Sequence, residues 1–119
     1  NIENLEALYS LLRARKPGVP IIFTVSPVPL VATFRPVSCM AANSVSKAIV
    51  RVAVDELVRG HADDPLLFYW PSYEIVMDVY GPAAFKEDRR HILTPVVARI
   101  MGAFEKAFVE PESVAGSGE

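Results

Sequence analysis

The chain has 119 residues, enough for one domain, and its 51% hydrophobic and 22% charged composition is that of a folded globular protein rather than a disordered one. The formal net charge is −2 and the longest basic run is Arg89-Arg90, so we expect no nucleic-acid partner. No apolar run reaches membrane-spanning length, so we expect no membrane partner, and a lone cysteine, Cys39, excludes an internal disulfide and fits a cytoplasmic, reducing location.

The first predicted elements are a helix and a strand. Apolar residues recur at helical spacing over residues 4–16, and Pro17-Gly18 ends this helix. Residues 21–25 form a continuous β-branched and aromatic run, which is typical of a strand covered on both faces in a parallel sheet. Ligands gather beyond the carboxyl ends of such strands, so Ser26 is a candidate site residue. Its alternative role is to satisfy local backbone groups.

A second helix and a second strand follow. We predict a loop to about Ala42 and an N-cap at Asn43 or Ser44, with Gly60 closing the helix. The predicted buried stripe of this helix is Val45, Ala48, Ile49, Val52 and Leu57. Residues 66–70 read as another buried strand, and a strand–helix–strand unit predicts a right-handed crossover between parallel strands.

The last third of the chain is predicted to hold an irregular segment and one helix. Residues 72–84 lack a clear period, whereas Thr94 is a suitable N-cap and Pro95 a suitable first residue for the final helix. Its predicted core face is Val97, Ile100, Met101, Phe104 and Phe108. Residues 110–119 have the composition of a disordered tail.

The segment just before the last helix contains a candidate catalytic pair, Asp88 and His91. Asp88 stands three residues before His91, and a carboxylate so placed can bind one ring nitrogen and leave the other as a general base. The alternative is a solvated turn in which Asp88 pairs with a neighbouring arginine, contributing roughly 0–1 kcal/mol. His61 follows a helix end and is expected at the surface. Neither histidine has zinc-ligand spacing, so we predict no metal and no cofactor.

Four motifs occur in the order, and with approximately the spacing, that is expected of one protein family. They are Thr24-Val25-Ser26-Pro27-Val28-Pro29-Leu30, Ala42-Asn43-x-x-Ser46-Lys47, Tyr69-Trp70-Pro71-Ser72-Tyr73-Glu74-Ile75 and Asp88-x-x-His91. Together they resemble the GSCFA domain family, which looks like a branch of the SGNH/GDSL esterases and acyltransferases. The resemblance implies a three-layer α/β/α sandwich with a parallel sheet, flavodoxin-like in its layers, over residues 1–109.

The resemblance also implies site residues. Asp88 would orient His91, which would act as base for a serine nucleophile on a small acyl-ester substrate. Ser26, Asn43, Ser46 and Glu74 match positions typical of the family and are candidate site-lining residues, and Lys47 and Tyr73 match as well. No catalytic role is assigned to these six.

The chain departs from the family at the motif that names it, because it contains no Gly-Ser-Cys-Phe-Ala. It therefore resembles the carboxyl-terminal half of such a domain, and its first residue, Asn1, suggests a processed product or a piece of a longer protein. We place Ser38-Cys39 in the loop before the second helix, where it is no substitute nucleophile. Two interior-type strands would need an amino-terminal half or a partner chain to complete their sheet.

Two hypotheses about function follow. In the first, the chain carries the Asp–His pair of a serine esterase or acyltransferase, is inactive alone, and receives its nucleophile from upstream sequence. In the second, it is a non-catalytic interaction or assembly module that has kept the fold, and the missing nucleophile supports this reading.

Overall fold

The computed structural model describes residues 1–109 and contains two strands and three long helices. The long helices are α1 (Ile2–Arg15), α2 (Cys39–Gly60) and α4 (Thr94–Phe108), and the strands are β1 (Ile21–Thr24) and β2 (Leu67–Trp70). The predicted tail, residues 110–119, lies outside the described residues. Within the described part, no helix is both long and apolar enough to cross a lipid bilayer.

The two strands pair in parallel, as predicted, with Ile21 opposite Leu67 and Thr24 opposite Trp70. A parallel pair needs a crossover connection, and α2 provides it. The protein is therefore a mixed helix and strand structure built on a small parallel sheet. Its strands are only partly covered: Ile21 and Leu67 are buried, whereas Thr24 is exposed.

Helices contact both faces of this sheet. On one face, Tyr9 of α1 and Leu57 of α2 pack against Ile21 and Leu67 in a single buried cluster. On the other face, side chains of β2 contact aromatic residues of α4, with ring centroids 5.3 Å apart for Phe68–Phe108 and 5.5 Å for Trp70–Phe104. Alternate residues of a strand point to opposite faces, which explains the division.

The observed start of α2 differs from the predicted start. The helix begins at Cys39, because the hydroxyl of Ser38 accepts a hydrogen bond from the backbone N–H of Ala41 and so acts as the N-cap. The predicted caps, Asn43 and Ser44, lie inside the helix, so that prediction is wrong. Cys39 is the first helical residue and not part of the preceding loop.

The predicted buried stripe of α2 is also largely wrong. Of its members only Leu57 is fully buried, whereas Val45, Ile49 and Val52 are between 43% and 54% exposed. The buried positions are instead Ala42, Ala53, Val54 and Leu57. An apolar face of α2 thus remains uncovered by the described residues.

Residues 72–84 are helical, not irregular as predicted. They form a short α-helical turn, α3 (Ser72–Glu74), a π-helix (Ile75–Tyr80) and a 3₁₀-helix (Gly81–Ala84). A second buried cluster of Val76, Ala84 and Val96 anchors these turns to α4.

The α4 prediction needs two corrections at its start and on its buried face. Leu93 is the N-cap and Thr94 the first helical residue, one position earlier than predicted. Val96 is the buried valine near the start of this helix, while Val97 and Met101 are exposed. Ile100, Phe104 and Phe108 of the predicted face do pack on the protein.

Candidate active site

The segment that carries Asp88 and His91 is a closed loop. An isolated antiparallel bridge joins Phe85 to Ile92, and the Lys86 N–H donates to the His91 carbonyl at 2.8 Å. The Leu93 N–H donates to the Ala84 carbonyl, also at 2.8 Å, which ties the loop to the 3₁₀-helix. The loop ends are therefore fixed on the cluster around α4.

Asp88 accepts three hydrogen bonds inside this loop. Its Oδ2 lies 2.5 Å from Nδ1 of His91, and its Oδ1 accepts from the backbone N–H groups of Arg90 at 2.9 Å and His91 at 3.0 Å. The hydrogen bond from His91, followed by the two backbone donors, lowers the pKa of Asp88. Asp88 is therefore a carboxylate throughout the neutral pH range, held in one orientation toward the imidazole.

His91 is oriented through Nδ1, so its Nε2 can accept a proton from another group. In the neutral ring an Nδ1–H that donates to Asp88 puts the lone pair on Nε2. Within residues 1–109 no group hydrogen-bonds to Nε2, and the His91 side chain is 63% exposed. This geometry suits a general base whose developing imidazolium is stabilised by an adjacent carboxylate.

A groove of about 880 Å³ lies beside this loop. One wall is formed by Lys86, Glu87 and Arg89, which flank Asp88. The rest comes from the segment after β1, the first turns of α2 and the helical segment after β2: Pro27, Pro29, Met40, Asn43, Tyr73, Met77, Pro82 and Phe85. The groove thus runs from the carboxyl ends of the strands to the Asp–His loop, where an α/β sheet is expected to hold ligands.

Ser26 and Asn43 organise the segment between β1 and α2. The Ser26 hydroxyl accepts from the Val28 N–H at 3.2 Å, while Asn43 Oδ1 accepts from the Leu30 N–H at 2.9 Å. Asn43 also lines the groove, and Ser26 directly precedes the groove residue Pro27. Both therefore lie near the groove with their oxygens bound to backbone.

Ser46 and Lys47 have different surroundings within α2. Ser46 lies in the interior of α2 and lines a separate depression, whose other lining residues include Leu30 and Thr33. The Lys47 ammonium donates to the Ser26 carbonyl at 2.5 Å, and burial lowers the pKa of Lys47. This hydrogen bond links α2 to the segment that follows β1.

Glu74 is occupied by structural contacts. It lies 2.6 Å from Arg51 Nε and accepts from the Tyr69 hydroxyl at 2.8 Å. Burial alone would raise the pKa of Glu74, but hydrogen bonds from Arg51 and Tyr69 outweigh it and lower the pKa. The Arg51 guanidinium also lies over the Tyr69 ring, 4.1 Å from its centroid. Glu74 thus joins α2, β2 and α3 and does not line the groove.

The sequence does not predict the contact between two hydroxyl groups at the strand ends, those of Thr24 and Ser72. Thr24 Oγ1 lies 2.6 Å from Ser72 Oγ and donates to the Trp70 carbonyl, and Ser72 Oγ donates to the Val25 carbonyl at 3.1 Å. Their positions at or just beyond the ends of two parallel strands could have signalled this pairing. The two hydroxyls hold the carboxyl ends of the sheet together.

The other histidine, His61, is half-buried rather than a free surface residue. Its Nε2 contacts Glu6 at 2.8 Å and its ring centroid lies 4.2 Å from that of Tyr9, so it links the end of α2 to α1. In the part of the chain that the structure describes, no three histidine, cysteine or carboxylate side chains are grouped so as to hold a metal ion.

Comparison with known proteins gives one result. The model of the GSCFA family matches residues 1–104. No curated protein and no solved structure matches the chain significantly. The matched span includes all four sequence motifs and most of the chain's length. On this evidence, the chain belongs to the GSCFA family.

Proposed function

We propose that the chain supplies the general base and its orienting carboxylate to a serine esterase or acyltransferase that acts on small acyl esters. The observation that carries this proposal is the 2.5 Å contact between Asp88 Oδ2 and His91 Nδ1, on a hydrogen-bonded loop beside a groove. In the complete domain the fold would be an SGNH-like three-layer α/β/α sandwich. Helices on both faces of a parallel sheet support that architecture.

In this proposal the nucleophile is a serine from outside the chain. The family-naming Gly-Ser-Cys-Phe-Ala motif is absent here, and the hydroxyls of Ser26, Ser38 and Ser72 are each engaged with the backbone. The two-stranded sheet and the uncovered apolar face of α2 support completion by an amino-terminal half or a partner chain.

The chemistry follows the usual order for acyl transfer. His91 Nε2 accepts the serine proton as the oxygen attacks the acyl carbon, and Asp88 stabilises the imidazolium. The imidazolium then gives this proton to the departing alcohol, which leaves an acyl-enzyme. Water or an acceptor hydroxyl then attacks the acyl carbon as His91 takes its proton, and His91 returns this proton to the departing serine oxygen.

The test compares the two histidines of the full-length protein. We expect His91→Ala to lower kcat/KM for 4-nitrophenyl butyrate by at least about 100-fold, the low end of general-base contributions. His61→Ala is the matched control, because His61 also contacts a carboxylate but lies between α1 and α2. It should retain turnover close to the wild-type rate. Wild-type rates in the His91→Ala protein would rule out the proposed role.

A second candidate is a non-catalytic assembly module, favoured by the exposed apolar residues Val45, Ile49 and Val52 on α2. Its expected behaviour is stable association, measured by light scattering, in a full-length protein that turns over no acyl ester. Ester turnover that depends on His91 would exclude it.

A further inference from the structure

Arg89 has an unusual backbone. Its φ is +53°, and no other non-glycine residue in the described range 1–109 has a positive φ. The left-handed region costs an L-residue such as arginine about 1–2 kcal/mol, whereas glycine or asparagine adopts it more readily. Strained residues of this kind concentrate at functional sites, which directs attention to what the Arg89 side chain does.

The loop holds Arg89 in this conformation by its own hydrogen bonds. The Arg89 N–H donates to the Lys86 carbonyl at 2.8 Å, and Asp88 accepts from the next N–H, that of Arg90. In this arrangement the Asp88 side chain turns back to His91, while Arg89 lines the groove. The strained residue therefore brings a cation to the groove next to the proposed base.

The groove combines an apolar surface with a charged rim. Met40, Tyr73, Met77 and Phe85 contribute the larger apolar and aromatic side chains. The rim has two cations, Lys86 and Arg89, and one anion, Glu87, which gives it a net charge of +1. Among residues 1–109 these three side chains form no ion pair. Such a surface complements a ligand with an apolar chain and an anionic group.

We propose that this groove binds an acyl or alkyl chain bearing a carboxylate or phosphate, and that Arg89 is the residue that selects for the anion. The inference deepens the proposed function, on which it rests for the identity of the ligand as a substrate. It implies that the ester presented to His91 carries a negative charge near the bond that reacts.

The test measures binding in the full-length His91→Ala protein, so that it does not depend on turnover. Octanoate, octyl phosphate and the neutral octanamide are titrated by calorimetry. We expect Arg89→Asn to lower the affinity for both anions by about fivefold, which is the effect of losing one exposed charge pair. The affinity for octanamide should not change. Asparagine is chosen because it tolerates the left-handed backbone. The tighter-binding anion in the parent identifies carboxylate or phosphate as the preferred group.

Arg90→Asn is the matched control. It removes the same charge from the next residue, whose side chain does not line the groove. It should change neither anion's affinity by as much as twofold. Glu87→Gln should tighten the binding of both anions, since Glu87 is the one carboxylate that lines the groove among residues 1–109. Thermal unfolding midpoints verify that each variant is folded.

Three results would overturn the inference: equal losses in Arg89→Asn and Arg90→Asn, equal affinity for octanoate and octanamide in the parent, or no detectable binding of either anion. Failure of the proposed function is a separate result, namely no loss of ester turnover in His91→Ala. An anion site that depends on Arg89 would then still be established.

Discussion

His61 and His91 each contact a carboxylate, but the two pairs have different surroundings. Glu6 lies 55 positions before His61, so that pair holds two helices together, and the Tyr9 ring packs on the imidazole. Asp88 lies three positions before His91, and their pair is completed inside one exposed loop. The sequence spacing predicts only the second pair, since an i to i+3 contact is local. The first needs α1 and α2 to be packed.

A third carboxylate, Asp64, shows how a turn residue can become a tertiary anchor. Asp64 Oδ2 accepts from Arg13 Nε and from the Tyr9 hydroxyl, both at 2.7 Å, and Oδ1 accepts from the Leu66 N–H at 2.9 Å. These hydrogen bonds, with that of Arg13 the largest, lower the pKa of Asp64 from 3.8 to about 2. Asp64 thus fastens α1 to the turn that precedes β2.

We predict that this carboxylate makes stability depend on pH in the acid range. The pKa is lower in the folded state than in the unfolded state, so the stabilisation is present above pH 3.8 and is lost as the pH falls toward 2. In urea unfolding from pH 5 to pH 2, Asp64→Asn should be less stable at pH 5 and lose less stability on acidification. Asp63→Asn is the control and should follow the wild-type curve. An Asp64→Asn curve parallel to the wild type would contradict the prediction.

At the scale of elements, the beginning of α2 illustrates what decides a helix boundary. Ser38, Asn43 and Ser44 are all residue types that cap helices, and local preference does not rank them decisively. The structure uses Ser38 as the cap and Asn43 as an acceptor for the Leu30 N–H. The contact that occupies Asn43 joins residues 13 positions apart, which local capping preference does not take into account.

We therefore predict that Ser38→Ala lowers the free energy of unfolding by about 1 kcal/mol, the usual cost of losing an N-cap hydroxyl. Ser44→Ala is the matched control, because Ser44 is an exposed residue inside the helix and alanine favours helices. It should be neutral or slightly stabilising. Chemical denaturation measures both. A Ser44→Ala protein less stable than Ser38→Ala would show that the cap has been placed incorrectly.

At the scale of the whole molecule, the described residues form two separate buried clusters. One lies between α1, α2 and the sheet, and the other lies between the segment after β2 and α4. Large apolar residues remain exposed, including Val45, Ile49 and Val52 on one stripe of α2. Their helical spacing is that of a buried face, which is why the sequence predicts burial. If an additional segment packed on this stripe of α2, the stripe would be buried, as its apolar spacing predicts.

The corresponding prediction concerns Ile49, which is 48% exposed on α2. In the full-length protein we expect Ile49→Glu to lower the free energy of unfolding by about 2 kcal/mol or more, because a covering segment would bury the carboxylate. Val79→Glu is the control, since Val79 is 74% exposed on the π-helix, and it should change stability little. Equal stability of the two variants would argue that the α2 face stays open.

Patterns of neighbouring residues along the chain were enough to predict several features. Both strands and their parallel pairing, the long helices and the Asp88–His91 contact follow from apolar periodicity, proline stops and an i to i+3 spacing. The covered face of α2 and the contacts of Glu74 could not be predicted in this way. Burial and ion pairing depend on residues far apart in sequence, such as Arg51 and Glu74, which come together only after the sheet and helices have packed.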